Sequence, residues 1–386
     1  MTRVLNAVSG RDAHGADGVD RVVIVCPTSE GGHVEHAAAI AYALVELRST
    51  RASLVTRPGS RAYLPRAMTE RVDVYEVLPR LPSRGGALGL LWMAANLVRE
   101  HVSIRRIVRA STAQRTVLLL EEPRYPWPAL LSRVGRRVDV KLMVHNAVEH
   151  PRTDSGLGER LRRLIAARAV RRTRSRIVHG EEQRTVLAGI GLDSTHVPLP
   201  PPLAASAGVS EEVAPPPAAI SDQFLCIGEL RSNKGVEVAL EAARLSHTPL
   251  LVVGKAVDER YYRSLLPLVP RDKVVLDNRF LSASEFDGLI RSCRAVVLPY
   301  TQFSAQSGVL AHAAGLGVPC LVADLPSLRE QAAGMHGIHY FPVGDARALA
   351  ELMSSLAAMP NRPPVAQPSP AQILRAWSPL VDAVVA

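Results

Sequence analysis

The sequence predicts an α/β protein built from two doubly wound domains, each a parallel sheet with helices on both faces. Three observations carry that prediction. Short β-branched runs alternate with helical stretches along the chain, a proline-rich segment interrupts the alternation near the middle, and 386 residues are too many for one ordinary core.

The first element is RVVIVCP at Arg21–Pro27, whose unbroken apolar run suits a strand buried on both faces. A polar glycine loop, Thr28 to Gly32, leads into a helix from about Val34 to Arg48. Strands follow at Ala52–Thr56 and Val72–Val77, then a helical stretch over residues 87–109. Further strands are expected at Thr116–Leu120, Val140–Val144 and within Ser175–His179. The stretch Ala87–Val98 (ALGLLWMAANLV) is too short to span a bilayer, and a place in the core is favoured over one at a membrane interface.

Pro198–Pro217 contains PLPPP and APPP, which neither a helix nor a central strand tolerates. The pattern then restarts with Phe224–Gly228, a helix at Gly235–Arg244, and strands at Pro249–Gly254 and Lys273–Asp277. A helix at Ser284–Arg291, a strand at Ala295–Tyr300, a helix at Ser307–Gly315 and a strand at Pro319–Ala323 complete it. The expected organisation is a flexible extension over 1–20, a first domain over 21–199, a linker over 200–220 and a second domain over 221–369. A closing helix over 370–386 is expected to cross back to the first domain.

Composition narrows the function. Aromatic residues are 4% of the chain, which leaves no series of stacking platforms for single-stranded nucleic acid. The net charge is +10, and residues 1–200 hold 31 of the 46 basic residues against 19 of the 36 acidic ones. The excess therefore lies in the first half, densest at Arg160–Arg176 and around Arg105, Arg106 and Arg109. Such clusters suit phosphate groups or acidic lipid headgroups as well as a plain solvated face. The widely spaced Cys26, Cys226, Cys293 and Cys320 lack zinc-ligand spacing and read as small buried hydrophobes of a reducing compartment.

Two loops in the second half carry candidate chemistry. Between Tyr300 and Val309 a strand passes through a small polar loop into a helix starting at Ser307–Gly308, where free amides and the helix dipole suit a diphosphate. The same pattern also serves as an ordinary N-cap. GELRSNKG at Gly228–Gly235 places Arg231 and Lys234 three apart at the carboxyl edge of the same sheet. A guanidinium and an ammonium there could neutralise a leaving diphosphate without a metal. A surface turn is the bland alternative.

The second half resembles glycosyltransferase family four, the retaining enzymes of GT-B architecture with two Rossmann-like domains facing a central cleft. The matching pieces are IGELRSNKGVEVALEA, LLVVGKA, RFLSASEF, CRAVVLPY, SGVLAHAAGLGVPCLVADLPSLRE and FPVGDARALAELM, in the family's order over about residues 224–355. CPTSEGGHVEHAAAIAYAL and VHNAVEHP extend a looser likeness into the first half. The resemblance implies that Arg231 and Lys234 hold the donor diphosphate, with Ser307, Gly308 and Val309 adding backbone contacts. It implies that Arg279, Phe280 and Leu281 flank the base with Glu285 nearby. Gly31 and Gly32 would let the first-domain loop approach donor and acceptor, and His145 would contact the transferred sugar. A structural role for His145 is the competing reading.

One departure stands out. Many members carry two glutamates with seven residues between them, and those places fall on Ser304 and His312 here; Gln302 or Gln306 could substitute. Members with the S-Q-S-G pattern also lack the pair. The implied activity is transfer of a sugar from a UDP- or GDP-sugar to a hydroxyl with retention, needing no metal or added cofactor, in glycan, glycolipid or secondary-metabolite biosynthesis. The acceptor would be a glycan, a lipid-linked glycan or a small molecule. A cytoplasmic place is expected, with peripheral membrane contact through the basic first domain and no nucleic-acid partner. A degraded homologue that only binds a nucleotide sugar or a partner, and a nonhydrolysing sugar-nucleotide epimerase, are the alternatives. A dehydrogenase is disfavoured because TSEGGHVEH is not a G-x-G-x-x-G loop.

Overall fold

The computed structural model describes residues 19–80, 86–110, 113, 115–125, 138–145, 157–203, 222–270, 272–362, 365 and 367–386. Most of the expected linker, most of the amino-terminal extension and VHNAVEHP beyond His145 lie outside the described residues. The chain divides into two compact units. The first holds the described residues up to Val178, Arg184–Val197 and Leu374–Ala386; the second holds His179–Gln183 and Pro198–Ile373.

Unit 1 is built on a parallel sheet of seven strands, β1 Arg21–Val25, β2 Arg51–Thr56, β3 Asp73–Glu76, β4 Thr116–Leu120, β5 Val138–Val144, β6 Ser175–Val178 and β7 Thr195–His196. Their order is β3-β2-β1-β4-β5-β6-β7. The central strands β1 and β4 are buried along their whole length, as unbroken apolar runs require. The short β7 gave no signal in the sequence, because a two-residue edge strand has no periodicity to read.

Helix α1, Gly32–Arg48, covers one face with Ala37, Ile40, Ala41 and Leu44. Helices α2, Gly86–Arg109, and α3, Leu157–Arg172, share a core cluster with the other. There Leu97, Ile104, Ile107 and Val108 of α2 and Val170 of α3 pack with Val23, Val25, Leu118, Leu120, Val140 and Leu142. Helix α2 departs from the expectation of a core stretch. Leu91 is 68% exposed and Val98 64%, while Glu100 on the opposite side is wholly buried. The reason is an ionic knot: Glu100 accepts from Arg57 Nη2 at 2.6 Å, Arg124 Nε at 3.0 Å and Tyr125 Oη at 3.1 Å, and this turns the apolar stripe outward. The chain's last helix, Ser378–Val385, packs on α1, and Lys141 Nζ donates to Ala383 O at 2.9 Å.

Unit 2 repeats the plan with six parallel strands. They are β8 Phe224–Ile227, β9 Leu250–Val253, β10 Val274–Asp277, β11 Ala295–Leu298, β12 Cys320–Ala323 and β13 Ile338–Phe341, ordered β10-β9-β8-β11-β12-β13. Helices α4 Val236–Ser246, α5 Ala283–Ser292, α6 Gly308–Gly315 and α7 Pro326–Gln331 lie between them in sequence, and α8 Ala346–Ala357 follows the last strand. Capping residues mark several starts: Ser282 and Glu285 form a capping box on α5, and Asp345 caps α8. Both sheets reverse direction beside their first strand, β1 between β2 and β4 and β8 between β9 and β11. Open α/β sheets bind ligands at the carboxyl ends of the strands flanking such a reversal.

Candidate functional site

In unit 2 the reversal lies between β8 and β11, and the loop after β8 holds two cations, Arg231 and Lys234. Gly228 and Gly254 end β8 and β9, and a Cβ on Gly254 would meet Gly228 O at 1.9 Å. A single helical turn, Ser232–Lys234, follows Arg231 and closes on Gly235 at φ 63. A Cβ on Gly235 would meet Pro299 O at 2.0 Å, so glycine lets this turn lie against the end of β11. Two hydrogen bonds stitch it there: Thr301 N to Asn233 O at 3.1 Å and Asn233 Nδ2 to Gln302 O at 3.2 Å.

Lys234 Nζ lies 3.7 Å from the Tyr300 ring centroid and 4.6 Å from that of Phe303. Desolvation, with the Arg231 guanidinium as a second cause, pushes its ammonium down to about 7. Among the described residues Lys234 has no carboxylate in ion-pair range. Arg231 reaches Glu229 through Nη2, while its Nε is buried and donates to nothing among the described residues. Two cations with one carboxylate between them make a site that an anion would complete.

The start of α6 is more specialised than the sequence suggests. The amide of Ser307, expected to face the diphosphate, donates to Gln331 Oε1 at 2.7 Å, and Gln331 Nε2 donates back to Ser307 O at 2.8 Å. Its hydroxyl accepts from Leu310 N and lies 3.0 Å from Tyr300 Oη. Ser307 is therefore a buried cap, its amide and hydroxyl both engaged within the unit. A Cβ on Gly308 would meet nothing within 4 Å, so the approach to that end is open. Ser304 and Gln306 lie on the preceding loop, and Gln306 Nε2 is buried without an acceptor among the described residues.

His312 is engaged inside the unit. Its Nδ1 lies 3.0 Å from Gly308 O, its Nε2 3.7 Å from Asp287 Oδ1 on α5, and its ring sits edge-on to Phe286. Arg279 and Glu285 pair at 2.7 Å, and Arg279 also bonds Asp277. Glu285 is pushed down to about 2, first by the Ser282 amide and then by Arg279 and the Ser282 hydroxyl. Phe280 between them is 54% exposed, a flat apolar ring open to stacking, while Leu281 is buried in the core. Helix capping accounts for Glu285 without a ligand.

In unit 1 the ends of β1, β4 and β5 hold a cluster that sequence reasoning saw only in part. Glu121, the residue after β4, is wholly buried, and its Oε1 accepts from His36 Nδ1 at 2.6 Å and His145 Nε2 at 2.8 Å. Burial alone would raise this carboxyl; His36 and His145 outweigh that and hold it well below the usual carboxylate range. Glu121 Oε2 has no hydrogen-bond partner among the described residues. The His33 ring sits edge-on to that of His145, 4.6 Å between centroids, and His33 Nδ1 lies 3.7 Å from Glu122. Burial and then the neighbouring His145 push His33 down. Gly31 precedes α1 with φ 84, and a Cβ on Gly31 or Gly32 would meet nothing within 4 Å. This loop is open backbone beside the histidines.

Residues 221–359 match the family model for glycosyl transferases, group 1. That span covers the second unit's strands, the loop of Arg231 and Lys234, and the loop that leads into α6. No curated protein matches the chain. Solved structures align over nearly its whole length. Anabaena Alr3699/HepE in complex with UDP and glucose matches with a TM-score of 0.62 at 15% identity, over 94% of each chain. Sucrose-phosphate synthase from Thermosynechococcus elongatus matches with a TM-score of 0.62 at 14% identity, over 95% of this chain and 94% of that one. An α,α-trehalose 6-phosphate synthase from Burkholderia multivorans gives 0.58 at 11% identity, over 95% and 93%. At these identities the likeness establishes the fold, which is GT-B. The group 1 match supports a glycosyltransferase.

The sequence reading named His145 but missed Glu121, His33 and His36. The signals were present as a carboxylate pair ending TVLLLEE and as histidines three apart in HVEH at a helix start. Their meeting depends on strand order, which no local pattern discloses.

Proposed function

We propose that the protein transfers a sugar from a nucleoside diphosphate sugar to an acceptor hydroxyl, with the donor diphosphate held by unit 2. The observation that carries this reading is the under-compensated pair Arg231 and Lys234, docked by Gly235 against the strand end that leads into α6. Gly308 and Val309 offer amides to the same anion, and Phe280 a surface for the base. In Anabaena Alr3699/HepE the bound ligands are UDP and glucose, which favours a uridine donor for trial first.

The reaction follows the course implied by the resemblance. The acceptor oxygen bonds to the anomeric carbon on the face that the diphosphate leaves, the bond from that carbon to the diphosphate oxygen breaks, and the acceptor proton passes to the departing diphosphate. Arg231 and Lys234 stabilise the charge that grows on the leaving group, the part a metal takes in other designs. His145, its Nε2 engaged by Glu121, is proposed to contact the transferred sugar. A phosphate-bearing or lipid-linked acceptor suits the basic first unit.

Calorimetric titration with UDP and GDP, with magnesium and with a chelator, tests the reading on the wild type and on Arg231→Ala/Lys234→Ala. Metal-independent binding of one nucleotide, weakened at least about a hundredfold in the double variant, is the expected result. Binding of neither nucleotide, or equal binding by the double variant, sinks the donor site and brings the degraded-homologue reading forward.

A further inference from the structure

Helix α2 carries two apolar faces. Leu97, Ile104, Ile107 and Val108 face the core of unit 1. On the opposite side Leu91, Ala95, Val98 and Val102 follow the i, i+4, i+7, i+11 spacing of a single stripe, and all four are exposed. The stripe runs for about 16 Å along the axis at 1.5 Å per residue. Its carboxyl end is basic, with Arg105, Arg106 and Arg109 in the last turns. Trp92 sits at its edge, 41% exposed, with the Arg99 guanidinium 5.8 Å from the indole centroid. The only carboxylate in the helix, Glu100, is buried on the other side.

Helix α3 shows the same combination independently. Leu164 is 68% exposed and Leu161 37%, among exposed Arg160, Arg168 and Arg171. Both helices pack into one core cluster, so they lie on the same face of the sheet and turn their outer sides the same way. Ordinary solvated faces put charge outside and apolar residues inside; here the outer side has both apolar stripes and arginines.

From this geometry we propose that the outer face of α2 and α3 docks on a bilayer bearing anionic headgroups. Leu91, Val98, Val102 and Leu164 would enter the boundary between headgroups and acyl chains, Trp92 would lie at headgroup level, and the arginines would meet lipid phosphates. No helix among the described residues is long and apolar enough to cross a membrane, so the contact is peripheral. Pairing with a second copy through this face would set arginine rows against each other with no exposed carboxylate on the described part of either stripe to answer them. A nucleic acid would use the arginines but leave the apolar stripes wet. The proposal stands apart from the transferase reading, since it concerns surfaces other than the strand ends.

Vesicle co-sedimentation of the full chain tests it, with phosphatidylcholine alone and with about 30% phosphatidylglycerol. Two variants are compared: Leu91→Gln/Val98→Gln/Leu164→Gln, and Arg106→Gln/Arg109→Gln/Arg168→Gln/Arg171→Gln. All seven side chains are exposed, so thermal melts should match the wild type. The wild type should bind the anionic vesicles at about 50 mM salt and release at about 500 mM, as screening requires. Trp92→Phe should remove the blue shift of emission that accompanies binding. The apolar variant should bind at least about tenfold more weakly, and the arginine variant should lose about fivefold per arginine removed. Failure of the wild type to bind anionic vesicles, or unchanged binding by the apolar variant, overturns the proposal. So does a concentration-dependent dimer in sedimentation velocity that the apolar variant abolishes. Competition by single-stranded DNA that persists in the apolar variant would assign the face to nucleic acid instead.

Discussion

The two units share a topology and differ in how charge is balanced at the equivalent strand ends. After β8 and β11 in unit 2, Lys234 stands without a carboxylate in ion-pair range among the described residues, and one carboxylate serves Arg231. After β4 and β5 in unit 1, a buried carboxylate is matched by two histidines within 2.8 Å. The first arrangement leaves positive charge under-compensated. The second is internally satisfied at Glu121 Oε1. A common fold thus leaves cations under-compensated at one switch point and hydrogen-bonds a buried carboxylate to two histidines at the other.

If that contrast is sound, the largest effect falls on Lys234. Replacing it with alanine should lower the rate of sugar transfer by about two to three orders of magnitude, the cost of losing one preorganised stabiliser of a developing charge. Steady-state kinetics with the nucleotide sugar that binds would check it. A loss below about tenfold would mean that Arg231 and the α6 amides suffice, and the comparison would then rest on them.

Next comes Glu121→Gln, which removes the charge but keeps the shape. The two histidines lose their carboxylate, and unfolding in denaturant should show a loss of about 3 kcal/mol. The acid limb should change too. A carboxyl held low in the folded state contributes stability above its unfolded value of about 4 and loses it as pH falls below that. The variant's stability should accordingly decline less steeply between about pH 5 and pH 3 than the wild type's. UDP affinity should stay within about twofold, because the change lies at the other switch point. A large loss of nucleotide binding would break the division of labour.

The Lys234 ammonium supplies a third effect. Its value of about 7 in the free protein means that a bound diphosphate, favouring the charged form, draws in a proton as pH rises past that point. Affinity for a nucleotide sugar, whose diphosphate diester does not titrate in this window, should fall about tenfold from pH 6 to pH 8. Lys234→Arg should flatten the profile, since a guanidinium stays charged. For the unliganded protein the unfolded chain binds more protons between about pH 7 and 10.4, so Lys234 makes stability rise with pH across that window.

The same contrast explains what could be read beforehand. Arg231, Lys234 and Gly235 lie within one loop, and their neighbours Tyr300 to Gly308 within another, so short motifs disclosed both. The cluster in unit 1 joins residues 36, 121 and 145, and their meeting depends on β1, β4 and β5 being neighbours. A pattern of alternating strands and helices predicts a parallel sheet but leaves strand order open. Helix α2 misled for a related reason: its apolar residues suggested a core position, and only the burial of Glu100 with Arg57, Arg124 and Tyr125 fixes which side faces in.

The smallest effect concerns Ser307, whose place in a diphosphate-like loop and whose actual bonds point different ways. Its hydroxyl caps α6 and its amide is taken by Gln331, so the side chain acts on the helix. Ser307→Ala should cost about 1 kcal/mol of stability, the usual value of a lost N-cap. Nucleotide affinity at a temperature where both proteins are folded should change by less than about threefold. Gln331→Ala should act in the same direction and combine with Ser307→Ala less than additively, because each removes part of one network. An affinity loss much larger than the stability loss would instead place the Ser307 hydroxyl on the ligand and require the cap to open when the donor binds.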